Sequence, residues 1–271
     1  LIVAALFTTV MAFGQNNTAS VDQTGNSNSS DITQTGKQHF ADISQVGDDH
    51  QSSIQQLGEM NEALVDQTDG GGNSTGNAIA GINQNGSENY VNLRQVAFYG
   101  QLFGDSYANV TQIGDNNRVE GANPGDAFLQ SNVGGIVDVR MDGNNNVLSS
   151  LWGEAQKNGN EFLLDILGSD NSVAMAQEFG IGDVDIDGNA NTISLSQKAG
   201  ANWNEALYNN AELTVFGDFN TIDVEQTGLA NSSLVDIFGS SNSSTITQST
   251  DFNSASVTVN GSANTSTITQ N

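Results

Sequence analysis

The sequence predicts an all-β protein folded as a β-solenoid, in which each coil contains two strands. Glutamine recurs every eleven residues near the start of the chain, and glycine follows most of these glutamines by two residues. Between the glutamines, side-chain character alternates with a period of two, which is the period of a β-strand. A fixed repeat of this length is typical of stacked units rather than of one globular core.

Each unit has an inward and an outward face. In the first unit, Ala19, Val21 and Gln23 share one face, whereas Ser20 and Asp22 share the other. The first face is small and apolar with an amide at its end, and the second face carries hydroxyl and acid groups. The alternation therefore predicts a strand with the first face buried.

The segments between units have turn composition. Thr24, Gly25, Asn26 and Ser27 separate the first two units, and glycine supplies the positive φ that a sharp reversal needs. Two strands and two turns then make one coil of two eleven-residue repeats, and we call each recurrence of the glutamine position a beat. Alternate units stack about 4.8 Å apart, and the two resulting parallel sheets face each other across about 10 Å.

Amide side chains at the ends of the inward face are expected to bond to their copies one coil away, because a buried amide needs a partner. The predicted ladder residues are Asn17, Gln23, Asn28, Gln34, Gln45, Gln56, Asn61, Gln67, Gln226, Asn231, Asn242, Gln248, Asn264 and Gln270. The predicted turn glycines are Gly25, Gly36, Gly47, Gly58 and Gly228.

The beat continues less regularly through the middle of the chain. Counting beats from Gln23 to Gln270 predicts twenty-one strand units, or about ten coils, in a single domain over 15–271. Some beats carry apolar residues in place of glutamine: Met141, Ile166, Ile186, Val215, Ile237 and Val259. Four insertions near 69–76, 98–105, 121–126 and 199–208 lengthen the spacing, and we expect them at coil corners.

Composition limits the partners that the chain could bind and the interactions that could stabilise it. Six basic residues against 31 acidic ones give a formal net charge of −25, which disfavours nucleic acid and anionic membrane surfaces as partners. The chain has no cysteine, so stability must come from backbone pairing and packing. Its single proline, Pro124, is typical of a chain rich in strands.

The N-terminal stretch Leu1–Ala12 is apolar but shorter than the ~20 residues of a membrane-spanning helix. Ala12 and Gly14 form a small-x-small pattern, so we interpret residues 1–14 as the remainder of a secretory signal that is cut before Gln15. The alternative is a buried first strand. We predict no membrane insertion elsewhere.

Two clusters deserve a comparison with metal and catalytic sites. Asp183, Asp185 and Asp187 match the start of a calcium-binding loop, but Ser194 stands where its glutamate should be, which favours an acidic outer strand face. Weak calcium binding there stays open. His39 and His50 occupy the asparagine position of the repeat, as expected for hydrogen-bonded substitutes. No nucleophile elbow, phosphate loop or HExxH motif is present, and we predict no catalytic, metal or cofactor site.

The spacing of glutamine, glycine at +2, asparagine at +5, a small residue at +7 and glutamine at +11 resembles the curlin repeat of curli fibre subunits. It reads Gln23, Gly25, Asn28, Ser30 and Gln34 in the first unit. The same spacing appears at Gln56, Gly58, Asn61, Ala63 and Gln67, and Ile237 replaces the closing glutamine after Gln226, Gly228, Asn231 and Ser233.

The resemblance implies a secreted subunit of a Gram-negative bacterium, which polymerises with itself into an extracellular functional amyloid fibre of the biofilm matrix and contributes to adhesion, like a pilus. It also implies passage through a curli-type outer-membrane pore and contact with a nucleator. Whether the chain is the major subunit or the nucleator stays open. The alternatives are a monomeric β-solenoid adhesin or an ice-binding module, and a polysaccharide lyase is third.

Overall fold

The computed structural model describes residues 7–69, 77–97, 106–123, 125–131, 136–151, 156–157, 161–178, 180–198 and 208–271. Over these residues the chain forms twenty-four strands and no helix. The strands belong to two parallel sheets that coil about a shared core, so the β-solenoid prediction is confirmed.

Sheet A contains eleven strands, stacked in chain order. They are β1 (Phe7–Phe13), β3 (Ser29–Lys37), β5 (Gln51–Glu59), β7 (Ala78–Ser87), β9 (Ser106–Ile113), β12 (Ile136–Asp142), β15 (Glu161–Leu167), β17 (Gly180–Asp187), β19 (Asn209–Phe216), β21 (Ser232–Phe238) and β23 (Ser254–Asn260).

Sheet B contains thirteen strands, of which eleven form the main stack. The main stack contains β2 (Thr18–Thr24), β4 (Phe40–Val46), β6 (Glu62–Asp69), β8 (Tyr90–Ala97), β10 (Arg118–Glu120), β13 (Val147–Ser150), β16 (Ser172–Glu178), β18 (Thr192–Lys198), β20 (Thr221–Thr227), β22 (Ser243–Gln248) and β24 (Thr265–Gln270). The other two strands are β11 (Phe128–Ser131) and β14 (Gln156–Lys157).

Equivalent residues of successive coils lie directly over one another. Ile32 pairs with Ile54, and Ile54 pairs with Ile82, in parallel register. All three side chains are at most 2% exposed, and burial of each contributes about 1.5–3 kcal/mol. The core is therefore a set of columns that run along the stack between the two sheets.

The insertion at 121–126 interrupts a strand instead of occupying a coil corner. β10 and β11 both pair with β8, so they are two halves of one strand position. The amide of Gly121 donates to the carbonyl of Asp126 at 2.7 Å, which closes the inserted loop at its base and lets the strand resume. The other three predicted insertions, near 69–76, 98–105 and 199–208, lie outside the described residues except for their end residues Asp69 and Tyr208.

The last residues of the predicted leader form β1, which pairs in parallel with β3 over seven residues. Cleavage before Gln15 stays a prediction. Within the described part of the chain, no helix is long and apolar enough to cross a membrane.

Candidate functional site: amide ladders and open edges

A column of glutamines runs through the whole of sheet B. It consists of Gln23, Gln45, Gln67, Gln95, Gln130, Gln156, Gln177, Gln197, Gln226, Gln248 and Gln270, which are paired in register. In each described link, the Nε2 of one glutamine donates to the Oε1 of the next at 2.6–2.8 Å. The hydrogen bonds run in one direction along two described stretches, from Gln23 to Gln130 and from Gln177 to Gln270, and the Oε1 of Gln177 is buried without a partner.

The same glutamines also tie sheet B to sheet A. The Nε2 of Gln45 donates to the carbonyl of Ser29 at 3.2 Å, and that of Gln226 donates to the carbonyl of Asn210 at 3.0 Å. One amide thus bonds along the stack and across the core. This double use explains why a fully buried polar side chain is tolerated at this position.

The equivalent column of sheet A changes character halfway along. Gln34, Gln56, Gln84 and Gln112 are linked at 2.9–3.0 Å. From the next coil onward the column is apolar, and it consists of Met141, Ile166, Ile186, Val215, Ile237 and Val259. At the start of the column, the Oε1 of Gln34 is buried without a hydrogen-bond partner, because Ala12 of β1 lies in register below it.

Asparagines form a second ladder at the turns that precede the main-stack strands of sheet B, and an interrupted one in sheet A, where Ala78, Ser106 and Gly180 take the same register position. The backbone N–H of Asn89 donates to the Oδ1 of Asn61 at 3.0 Å, and its own Nδ2 donates to the carbonyl of Gly114 at 2.7 Å. The pattern repeats along sheet B to Asn264. Asn28 and Asn231 hold the equivalent positions before strands of sheet A.

Both histidines take part in these ladders. His39 accepts the backbone N–H of Asn61 at its Nδ1, at 3.3 Å, and its Nε2 lies 3.1 Å from the carbonyl of Thr35. His50 is fully buried, and its Nδ1 accepts the N–H of Ala78 at 3.2 Å. An imidazole whose Nδ1 accepts a hydrogen bond in this way serves as a structural acceptor, as the asparagine Oδ1 does.

The turns are built from two residues with positive φ. Gly25, Gly36, Gly47, Gly58 and Gly228 have φ between 110 and 140°. A Cβ added to Gly36 would lie 1.8 Å from the carbonyl oxygen of Gly58 in the next coil, so glycine is required by the stacking as well as by φ. The second position precedes each ladder asparagine or histidine, and fifteen non-glycine residues occupy it at φ of 53–62°.

The two end coils leave parallel strand edges open. Alternate residues of β2 and β24 are exposed, and those between them are only half-buried. Val21 and Ile268 pack on the core from the two ends. In the common register of sheet B, Gln270 corresponds to Gln23 and Ile268 corresponds to Val21, so one edge repeats the inward chemistry of the other.

The outer face of sheet A is acidic near the middle of the stack. Asp165 and Asp185 are neighbours in register, as are Asp183 and Glu212. Burial and the charges of Glu212 and Glu161 raise the pKa of Asp183, and burial with Asp183 and Asp165 raises that of Asp185. Among the described residues, no group of three or more histidines or carboxylates is arranged to hold a metal ion.

A comparison with known protein families matches segments near both ends of the chain to one repeat family. The model of the curlin associated repeat matches residues 14–47, 25–58 and 40–68 near the start and 217–249 and 245–271 near the end. Five segments of the chain are therefore similar to the curlin associated repeat. Between these matches, the parallel pairing in register continues through the described strands of the middle coils, where apolar residues replace glutamine in sheet A only. A search of curated proteins finds no match.

The structure brings every predicted ladder residue onto an inward column, with glutamines at strand ends and asparagines at strand starts. Two features escaped the sequence analysis: the second positive-φ position and the sorting of apolar substitutions onto one sheet. The second had a signal, because Ile237 and Val259 lie two beats apart and two beats return the chain to the same sheet.

Proposed function

We propose that the chain is a structural subunit that adds head to tail to copies of itself, forming an extracellular curli-like amyloid fibre. The observation that carries the proposal is the match between the open edges of β24 and β2. An unprotected parallel edge is a template for another strand, and proteins that stay monomeric usually blunt it. Repeat proteins of this kind also need polar end caps to remain soluble as single molecules.

The junction repeats the interior of the stack in sheet B. When β2 of one copy follows β24 of another, Gln270 meets Gln23, Ile268 meets Val21 and Asn264 meets Asn17. The direction of the amide column is preserved, because the Nε2 of each glutamine donates toward the C-terminal end. A heterologous contact of this sort does not close on itself, so it produces filaments rather than small oligomers.

The setting of the fibre follows from the curlin repeats. We propose secretion to the cell surface through a curli-type outer-membrane pore, contact with a nucleator, and a role in biofilm matrix and adhesion. The formal charge of −25 keeps unassembled copies apart, since like charges repel within the ~8–10 Å screening length at physiological salt. This repulsion lets a chain that polymerises at the cell surface stay unassembled during export.

A matched pair of edge variants tests the proposal. Ile268→Asp places a carboxylate at an inward position of β24, whereas Thr267→Asp places the same charge on the exposed face of the same strand. We expect Thr267→Asp to form fibres with a cross-β reflection near 4.8 Å, and Ile268→Asp to remain monomeric by electron microscopy and light scattering. Fibres of both variants at equal rates would refute the edge contact. A parent protein that stays monomeric at high concentration would favour the adhesin alternative.

A further inference from the structure

The chain crosses from sheet A to sheet B on one side of the stack, which we call the A-to-B side, and returns to sheet A on the opposite side. From β3 onward, the turns of the A-to-B side form a ridge with one positive-φ residue in each coil: Gln38, Met60, Glu88, Asn116, Asn145, Asp170, Ala190, Phe219, Ser241 and Ala263. The backbone N–H of each donates to a carbonyl of the preceding coil at 2.8–3.1 Å. The turns therefore stack in register, about 4.8 Å apart.

The turns of this ridge all have the same length, with a glycine two residues before the positive-φ residue. The predicted insertions near 69–76, 98–105 and 199–208 each fall between a strand of sheet B and the next strand of sheet A, so the order of the strands assigns them to the return side. The A-to-B side is thus a regular surface that another molecule can contact along its length.

Two groups of exposed apolar side chains lie on this side, within the turns or directly beside them. The first patch consists of Phe40, Leu57 and Met60, and the second patch consists of Phe216, Phe219 and Phe238. The rings of Phe216 and Phe238 stack at 5.4 Å, and Phe219 is 65% exposed. Exposed apolar groups gathered in this way are typical of an interaction surface.

The two patches are placed symmetrically along the ridge. Met60 and Phe219 are six coils apart, about 29 Å, and Asn145 lies midway between them. A two-fold axis that passes Asn145 at right angles to the stack therefore brings Met60 of one copy to Phe219 of another, and the reverse contact forms at the same time. An interface of this kind uses the same surface on both copies.

The residues that precede the turn glycines follow the same symmetry. They share one register position of sheet A, and the two-fold axis sets Leu57 opposite Phe216 and Ile113 opposite Leu167. Apolar side chains thus meet apolar side chains in two neighbouring rows of the ridge.

We propose that the A-to-B side binds a second copy of this chain in antiparallel orientation, so that two stacks lie side by side with each first patch against a second patch. The pairing acts across the stacks, whereas head-to-tail addition acts along them. Each copy carries the complete surface, so the pairing does not depend on fibre formation.

Charge favours the antiparallel orientation. In the row of positive-φ residues, Glu88 comes to lie opposite Ala190, and Asp170 opposite Asn116. The amide of Asn145 meets its own copy. No carboxylate of this row faces another carboxylate, which matters for a chain with a formal net charge of −25.

Carboxylates meet at two other places, and a base accompanies each. Glu59 faces Asp218 of the second copy, and the Nζ of Lys37 lies 3.2 Å from the carboxylate of Glu59. Asp142 meets its own copy at the axis, and Arg140 lies 3.1 Å from that carboxylate in each chain. A parallel pair would instead bring Asp218 of both copies to the same height, and the turns of the second patch contain no base.

Cysteine cross-linking tests the pairing, because the protein has no cysteine of its own. The variants Met60→Cys, Phe219→Cys and Asn145→Cys each place one thiol on the ridge. Phe252→Cys is the matched control, since Phe252 also has a positive φ and is 68% exposed, but lies in a turn of the return side.

We expect an oxidised mixture of Met60→Cys and Phe219→Cys to give dimers on non-reducing gels, whereas neither variant gives dimers by itself. Asn145→Cys should give dimers alone, because it lies on the axis. Phe252→Cys should give none, alone or mixed with Met60→Cys. Contacts within one fibre cannot mimic this result, since Phe219 of one copy and Met60 of the next are at least four strand spacings, about 19 Å, apart, beyond the ~7 Å limit for the Cα atoms of a disulfide.

Serine variants measure the contribution of the second patch. Phe219→Ser removes one ring from the patch, and Phe252→Ser makes the same change on the return side; serine already holds the equivalent position at Ser241. Electron microscopy should show at least about tenfold fewer paired fibres for Phe219→Ser, since burial of one phenylalanine is worth more than a factor of ten in an association constant. Phe252→Ser should pair as the parent does.

Dimers from Met60→Cys alone, or from the control at the same level, would overturn the antiparallel contact. Fibres that form normally but give no dimers would overturn the pairing and leave head-to-tail addition intact. If the parent forms no fibres, head-to-tail addition fails by itself. The same cross-links are then scored in concentrated soluble protein, where dimers support the pairing and their absence overturns it.

Discussion

Substitution of glycine at the last turn should separate folding from assembly. Gly239 and Gly261 both follow strands of sheet A and have φ of 136° and 114°. A Cβ on Gly239 would lie 1.9 Å from the carbonyl oxygen of Gly261, whereas a Cβ on Gly261 would meet nothing closer than 3.5 Å, at Asn264. The difference arises because the next described coil covers Gly239, whereas no described coil covers Gly261.

The expected magnitudes follow from these distances. Both alanine variants carry backbone strain of about 1–3 kcal/mol. Gly239→Ala must also move two coils apart by more than 1 Å to relieve its contact, which breaks the 2.9 Å bond from the amide of Gly261 to the carbonyl of Phe238. We therefore expect Gly239→Ala to lose about 2–5 kcal/mol of unfolding free energy in denaturant titrations, and Gly261→Ala about 1–3.

For Gly261→Ala, we expect a larger effect on the rate of fibre elongation than on the stability of the monomer. In a head-to-tail fibre of chains that retain Gly14, the turn at Gly14 of the next copy covers Gly261 as Gly261 covers Gly239. Its alanine variant should then fold but elongate seeds at least about 30-fold more slowly, the equivalent of ~2 kcal/mol at the junction. Elongation can be followed by dye fluorescence on parent seeds. If Gly261→Ala elongates at the parental rate, the C-terminal edge does not receive the next subunit.

Three further results are expected. Gln45→Leu leaves the glutamine oxygen of the next coil without its donor, so the unfolding free energy should fall by about 1–3 kcal/mol in urea, and an unchanged midpoint would contradict the ladder. His39→Leu should cost a similar ~1–3 kcal/mol because the N–H of Asn61 loses its acceptor, whereas His39→Asn should stay within ~1 kcal/mol of the parent. The pKa values of Asp183 and Asp185 are raised from 3.8, so their contribution to stability is present below pH 3.8 and is lost as the pH rises. The temperature of thermal unfolding should therefore rise, and seeded growth should become faster, toward pH 4 and with added salt. Equal rates of seeded growth at pH 4 and pH 8 would contradict this expectation.

Much of the fold was predictable because the repeat couples local and tertiary structure. Positions two apart from Gln23 back to Ala19 define the buried face, and this face is buried in the interior strands whose side chains the structure describes. The turn glycines were predictable for the same reason. The loop at 121–126 was not, because an insertion lengthens the spacing equally whether it lies at a corner or within a strand.

The sequence by itself determined the period, the two faces of each strand, the amide positions and the acidic exterior, because these depend only on spacing and on residue chemistry. The tertiary structure alone decided which sheet each beat joins. Successive beats alternate between the two sheets, so the assignment depends on whether a beat has an odd or an even number in the count. Insertions of unequal length mean that spacing alone does not give this number. The structure shows that glutamine holds the same register position throughout sheet B, whereas the equivalent column of sheet A turns apolar at Met141, and that β1 is the eleventh strand of sheet A.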